Sequence, residues 1–140
     1  MAIKGGFQGK MLDVDLTGGQ TKSLQMPSED VLRSYGGATG VGLYLISREI
    51  TPTMRPTDAD CPFFLFTGPL TGTMVPSSSH WSLINLRDTP SYHVGLSHTH
   101  GHFGARLKHA GWDGIAVRGA SDRPVYLWID DEHVELRDAT

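Results

Sequence analysis

The sequence holds a single cysteine in 140 residues, Cys61. One cysteine forms no internal disulfide and cannot supply the four thiolates that an iron–sulfur cluster ordinarily takes. Placed just ahead of Phe63-Phe64-Leu65-Phe66, it reads as a small residue entering a strand. An excess of charge is also missing: 12 basic against 15 acidic residues leave a formal net charge of −3. That balance gives no electrostatic footprint for nucleic acid or an anionic membrane, so neither is an expected partner. No apolar run approaches the roughly 18–20 residues that span a bilayer. Met1-Ala2-Ile3-Lys4-Gly5-Gly6 lacks the apolar centre of a signal peptide, and the expected location is cytoplasmic. Nucleotide fingerprints are lacking too. Gly36-Gly37-Ala38-Thr39-Gly40-Val41-Gly42 is rich in glycine, but it follows a helical pattern, not a strand. It has neither GxGxxG spacing nor a Walker lysine, so it reads as a packing turn.

What the chain does have is glycine, 17 residues spread along its length, which points to many turns and close backbone approaches. The length suits one domain with a real core. Leu12, Val14 and Leu16 alternate with Asp13 and Asp15, the period of a half-buried strand with solvent-facing aspartates. Thr17-Gly18-Gly19-Gln20 then turns the chain into a second strand, Thr21 to Met26. Ser28 is a natural N-cap for a helix bearing Val31, Leu32 and Tyr35. The glycine-rich turn interrupts that helix, and a second is predicted from Leu43 to Glu49. Strands are predicted at Pro62 to Phe66, Trp81 to Leu86, and Tyr92 to Leu96, with Thr89-Pro90 as a break. A helix over Phe103 to Ala110, with Arg106, Lys108 and His109 exposed, ends at Gly111. Strands at Ile115 to Val117, Pro124 to Ile129 and Glu132 to Leu136 close the chain. The pattern is α+β, mostly antiparallel. No helix follows to cover the last three strands, so the domain is expected to be incomplete at its C-terminus and to self-associate as a homo-oligomer.

Histidine is the other conspicuous residue. Ser97-His98-Thr99-His100-Gly101-His102-Phe103-Gly104 places three of the seven at every second position, and His80 and His93 lie upstream. Alternate residues of an extended segment point one way. If Ser97 to His102 stays extended, His98, His100 and His102 converge into a workable zinc or nickel site. If it is a loop, they are polar loop residues. His109 and His133 read as surface residues, and Trp81, Trp112 and Trp128 as packing.

Several segments in order resemble one family. They are Gly9-Lys10-Met11-Leu12-Asp13-Val14-Asp15-Leu16-Thr17, Tyr35-Gly36-Gly37, and Phe66-Thr67-Gly68-Pro69-Leu70-Thr71-Gly72-Thr73. Gly101-His102-Phe103-Gly104-Ala105-Arg106-Leu107-Lys108-His109-Ala110-Gly111-Trp112-Asp113 follows, then Val125-Tyr126-Leu127 and Val134-Glu135-Leu136-Arg137-Asp138-Ala139. Together they are similar to the N-terminal domain of the aldehyde ferredoxin oxidoreductases. These are tungsten enzymes with a bis-pterin cofactor and a cubane iron–sulfur cluster.

The resemblance implies an α+β domain of repeated antiparallel sheets that forms a base under one face of a tungstopterin or molybdopterin. In the family, later domains carry the cluster cysteines, further pterin motifs and the aldehyde pocket. The resemblance therefore implies a single cofactor-positioning domain over residues 1–140. It assigns no catalytic residue here, and this chain alone is not expected to oxidise an aldehyde to the acid. Implied partners are the remaining domains or subunits with their iron–sulfur cluster, and ferredoxin through the full enzyme. The cofactor-contacting positions it implies are Thr71, Gly72, Thr73, His80, His98, Thr99, His100 and Gly101. At position 98 a backbone carbonyl would reach a magnesium ion bridging the pterin phosphates. Three places depart from the family pattern. His80 stands where an arginine is usual, His98-Thr99-His100-Gly101 replaces Asn-Ser-Gly-Gly, and Ala38-Thr39 replaces a single arginine. The departures leave an alternative expectation: a stand-alone binding module on the same fold that has lost the redox cofactor.

Overall fold

A computed structural model describes residues 5–88 and 93–140. Alternating apolar residues build the first hairpin, β1 (Lys10–Asp15) and β2 (Gln20–Gln25). Two helices follow, α1 (Glu29–Tyr35) and α2 (Gly37–Glu49). Then come β3 (Phe63–Thr67), β4 (Trp81–Leu86), β5 (Val94–Thr99), α3 (His102–His109), β6 (Gly114–Arg118), β7 (Val125–Asp130) and β8 (His133–Asp138). Six strands form one sheet in the order β2-β1-β6-β3-β4-β5, and β7 and β8 form a separate hairpin. Every pairing is antiparallel except β1 with β6, which runs parallel. The α+β, mostly antiparallel expectation therefore holds, with that one parallel pair at the centre. Among the described residues, no helix is long and apolar enough to cross a membrane.

The large sheet is covered on both faces. On one side Met11, Phe64, Phe66, Ile84 and Ala116 pack with Leu32 of α1 and with Val41 and Ile46 of α2. On the other, Leu12, Val14, Leu65 and Ile115 meet Leu107 of α3, Trp112, and the inward residues Leu127, Ile129, Val134 and Leu136 of the β7–β8 hairpin. Trp112 Nε1–H donates to the Asp131 carbonyl at 2.9 Å and fixes the hairpin turn over this second core. The β1 pattern departs from simple alternation for this reason. Met11, Leu12, Asp13 and Val14 are all buried, because each face of β1 has a neighbour.

Five sequence expectations are corrected. Asp13 is buried, not solvent-facing, and is paired with Arg118 of β6 and Lys22 of β2; Asp15 is exposed. The second helix starts at Gly37, so the glycine-rich stretch is helical rather than a break. Only Gly36, at φ +39°, separates α1 from α2. Small residues suit this turn because α2 lies directly on β4: a Cβ at Gly42 would sit 2.4 Å from Ile84 Cδ1. Strand β5 continues to Thr99, so half of the histidine stretch is sheet. The last three strands are not uncovered: β6 lies between β1 and β3, and β7–β8 rests on the second core. Finally, Lys108 is buried, at 4% exposure. Ser28 does precede α1, but its hydroxyl makes no capping bond. Thr89, Pro90 and Tyr92, given a break and a strand start from sequence, lie outside the described residues.

The buried Lys108 has a specific partner. Its Nζ lies 2.7 Å from Asp113 Oδ1, with both side chains almost wholly out of solvent. Asp113 also accepts from the Gln8 N–H at 3.0 Å and the Gly9 N–H at 2.7 Å. Its own carbonyl accepts from the Thr67 N–H and hydroxyl, and its N–H donates to Lys10. The reversal between α3 and Asp113 is a Schellman turn. Gly111, at φ +91°, donates to Lys108 O, and Trp112 donates to Leu107 O. Removing one partner of a buried ion pair costs about 3–5 kcal/mol, because the other charge is left unpaired. Asp113→Asn is therefore expected to lower unfolding stability by that amount in urea titration. Arg33→Ala, which breaks an exposed pair with Glu29, should change it by less than about 0.5 kcal/mol. An Asp113→Asn protein within 1 kcal/mol of the parent (about the net worth of one ordinary hydrogen bond) would contradict this reading.

Candidate functional site

A cleft of about 390 Å³ opens where the start of α2, the β3–β4 loop, and the adjoining ends of β4 and β5 meet. The start of α2 brings Gly36, Ala38 and Thr39. The loop brings Gly68 to Thr71, Val75 to Ser78, and His80. The strands bring Ser82 and His98. No carboxylate is among these lining residues.

Local chemistry shapes the loop. Thr71 Oγ1 accepts from the Gly68 N–H at 2.9 Å and donates to the His80 carbonyl at 2.7 Å, clasping the loop at its neck. Thr73 hydroxyl donates to Leu70 O, and Ser78 hydroxyl to Thr73 O. Lys108 Nζ reaches the Gly68 carbonyl at 3.2 Å, so the buried ion pair also holds the first residue of the loop. The loop tip carries apolar side chains in solvent: Leu70, Val75 and a fully exposed Met74.

The strands supply the imidazoles. Ser82 and His98 are directly opposite in the β4–β5 register, so their side chains share a face. Ser82 Oγ lies 3.0 Å from His98 Nδ1 and 3.1 Å from Thr39 Oγ1. The His80 ring meets His98 edge-on at 5.2 Å and His100 at 4.6 Å between centroids. Desolvation of the half-buried His80 ring, with the neighbouring His100 and His98, lowers its proton affinity below the ordinary histidine value.

Of the residues expected from sequence, Thr71, His80 and His98 line the cleft. Gly72 and Thr73 lie on the same loop but turn elsewhere. The Gly72 carbonyl meets His109 Nε2 at 3.0 Å, and a Cβ there would face His109 and Ala105. Thr99 pairs opposite Trp81. His100 touches the site through His80, and Gly101 precedes α3 at φ +100°. The metal set His98, His100 and His102 is not gathered. His102 opens α3, because the strand ends at Thr99, and His80 takes the neighbouring place instead. Among the described residues, no group of three or more His, Cys, Asp or Glu side chains is arranged to hold a metal ion. Cys61 is in the turn before β3, not the cleft; burial, then Asp58 and Asp60, push its thiol up.

Sequence reasoning did not pick out Ser82 as a site residue, and it named Thr39 only within Ala38-Thr39, the pair standing in place of a family arginine. The signal for Ser82 was present: it is the polar member of the buried row Ser82, Ile84, Leu86 on β4. A buried hydroxyl in such a row needs a partner, and it has two.

Comparison with known proteins finds similarity to parts of longer chains. Residues 11–140 match the family described as aldehyde ferredoxin oxidoreductase, N-terminal domain. A tungsten-containing aldehyde ferredoxin oxidoreductase of Pyrococcus abyssi is 38% identical over 135 residues, covering 96% of this chain and 22% of that protein. An aliphatic sulfonate oxidoreductase, WOR-like subunit, of Pyrococcus furiosus is 37% identical over 137 residues, covering 96% of this chain and 21% of that one. Among solved structures, the active site complex BamBC of benzoyl coenzyme A reductase, in complex with 1,5-dienoyl-CoA, superposes with a TM-score of 0.91. It has 27% identity, with 96% of this chain and 20% of that chain covered. The chain thus spans about a fifth of the length of these relatives.

The crowding at His80 has a pH consequence. A histidine whose folded-state affinity for protons is depressed binds fewer protons than in the unfolded chain below pH about 6.5. Its contribution is fully present above that pH and is lost as pH falls through it toward the folded-state value. Stability should decline on acidification across this window, and less so in His80→Asn. Histidine titration followed by NMR should place the His80 midpoint below the ordinary value; a midpoint at or above it contradicts the geometry.

Proposed function

This chain belongs to the aldehyde ferredoxin oxidoreductase family through its N-terminal domain, and from that premise we propose that its cleft is one wall of a tungstopterin or molybdopterin site in a larger oxidoreductase. The observation that carries the reading is the lining. Hydroxyl oxygens of Thr39, Ser77 and Ser78 and imidazoles of His80 and His98 surround the cleft, with no carboxylate and no thiol. That lining suits a ligand rich in hydrogen-bond acceptors, as a pterin is. Among the described residues no three His, Cys, Asp or Glu side chains are arranged around a metal ion, so the metal would be held by the cofactor. A magnesium ion between phosphates prefers oxygen ligands. Here it would depend on the phosphates and backbone carbonyls, the His98 carbonyl among them.

When bound, the metal–pterin group would supply the two-electron oxidation of an aldehyde to a carboxylic acid, with oxygen from water and electrons passed to an iron–sulfur acceptor of the ferredoxin type. The protein's part is placement and electrostatics. Thr71 clasps the loop, and Lys108 with Asp113 fixes its base. His80 and His98 present ring nitrogens to the ligand, with His100 behind His80. The exposed Leu70, Met74 and Val75 at the cleft mouth support a further domain or subunit that closes the site and excludes water. That partner would carry the iron–sulfur cluster, since this chain has one cysteine. The chain by itself would turn over no aldehyde.

Metal analysis of the assembly purified from its native host tests this reading. Tungsten or molybdenum in stoichiometric amount is expected; an intact assembly with neither metal would contradict it and favour a binding module without a redox cofactor.

A further inference from the structure

The hydroxyls of Thr39 and Ser82 make a chain that ends on one particular nitrogen of His98. Thr39 is in the first turn of α2, Ser82 is buried at 1% exposure on β4, and His98 is on β5. Thr39 Oγ1 and Ser82 Oγ are 3.1 Å apart, and Ser82 Oγ and His98 Nδ1 are 3.0 Å apart. Each hydroxyl has one proton to place. If Thr39 donates to Ser82 and Ser82 donates to Nδ1, both protons are used. In the reverse direction, Nδ1–H donates to Ser82 and Ser82 to Thr39. The Thr39 proton is then left facing the cleft, since Ser82 is its one protein partner among the described residues. The first direction satisfies both protons within the protein, and the second depends on a group in the cleft.

We propose that Ser82 is a positioning residue: the relay from Thr39 through Ser82 holds His98 in its Nε2–H tautomer and presents that N–H to the cleft, so the ligand must place an acceptor oxygen there. The inference rests on the cleft being a ligand site. It adds the polarity of the contact and the residues that set it. Because the relay begins on α2, the helix and the β5 imidazole are positioned together. A ligand offering a donor at this point would meet the N–H and be rejected, as polar sites discriminate most strongly through groups left unpaired.

The test is nitrogen NMR on the protein with labelled histidine, the His98 signals being assigned by their loss in His98→Asn. The wild type should show Nδ1 unprotonated and Nε2 protonated at neutral pH. Thr39→Val, which keeps the volume and removes the hydroxyl, should shift both signals toward the average of the two tautomers. Ser82→Ala should do the same, and Thr39→Ser should restore the wild-type pattern. Orthophosphate, a small probe with acceptor oxygens, should move the Nε2 signal and need a several-fold higher concentration to do so in Thr39→Val. A protonated Nδ1 in the wild type, signals unmoved by both substitutions, or a phosphate response that is absent or equal in the two proteins would each overturn the proposal. The tautomer result is independent of metal content. An assembly lacking tungsten and molybdenum with the relay intact would sink the cofactor reading alone, and the reverse result would sink only the relay.

Discussion

A carboxylate with almost no access to water, Asp113, is the constraint on which the other parts depend. Its two oxygens receive a lysine ammonium and two backbone N–H groups, and its main chain is bonded to Lys10 and Thr67. One residue thereby ties the segment entering β1, the end of β3, the end of α3 and the start of β6. An ionised group this deep is costly unless fully paired, and here the pairing is supplied by α3 and by the segment entering β1. The arrangement works only when the sheet order is correct, which couples local folding to global topology. A Schellman turn at Gly111 brings α3 back onto the sheet so that Lys108 and Asp113, five residues apart, can meet.

The same interaction sets the site. Lys108 spends a second hydrogen bond on the Gly68 carbonyl, where β3 gives way to the cleft loop. Thr71 then closes the loop on His80, the residue before β4. Lys108 and Thr71 thus link the Asp113 pairing to the cleft loop. Within the cleft the polar groups are hydroxyls and imidazoles. Among the charges acting on His80, the neighbours are two other histidines and no carboxylate. That composition supports an acceptor-rich occupant.

Much of this could be read in the sequence, and the failures have physical causes. Period-two alternation located the hairpins, and β4 was placed at its observed bounds, because one row of its side chains is buried and the other half-buried. Alternation misled at Asp13, where Arg118 from a distant strand compensates a buried charge that local pattern can only read as exposed. Lys108 failed in the same way. Its partner lies beyond a glycine turn, and helical spacing alone does not reveal that both face inward. The glycine-rich stretch looked like a break, since glycine is a poor helix former. Close contact with β4 outweighs that propensity at Gly42. In the site, Thr71, His80 and His98 were legible through family resemblance. Thr39 was legible only as a departure from the family pattern and Ser82 not at all, because their partnership depends on the β4–β5 register and on where α2 crosses it. The expected His98, His100 and His102 set required a strand three residues longer than the one formed.

The chain spans about a fifth of the length of its relatives. In the function proposed above, a buried ion pair fixes a loop, the loop and a hydroxyl relay arrange two histidines, and a pterin cofactor rests against them. An experimental structure of the metal-loaded assembly addresses this most directly. The account predicts cofactor density in the cleft beside Thr39, His80 and His98, with an acceptor oxygen at His98 Nε2. Cofactor bound against another face of the sheet, with this cleft filled by protein side chains, would contradict it.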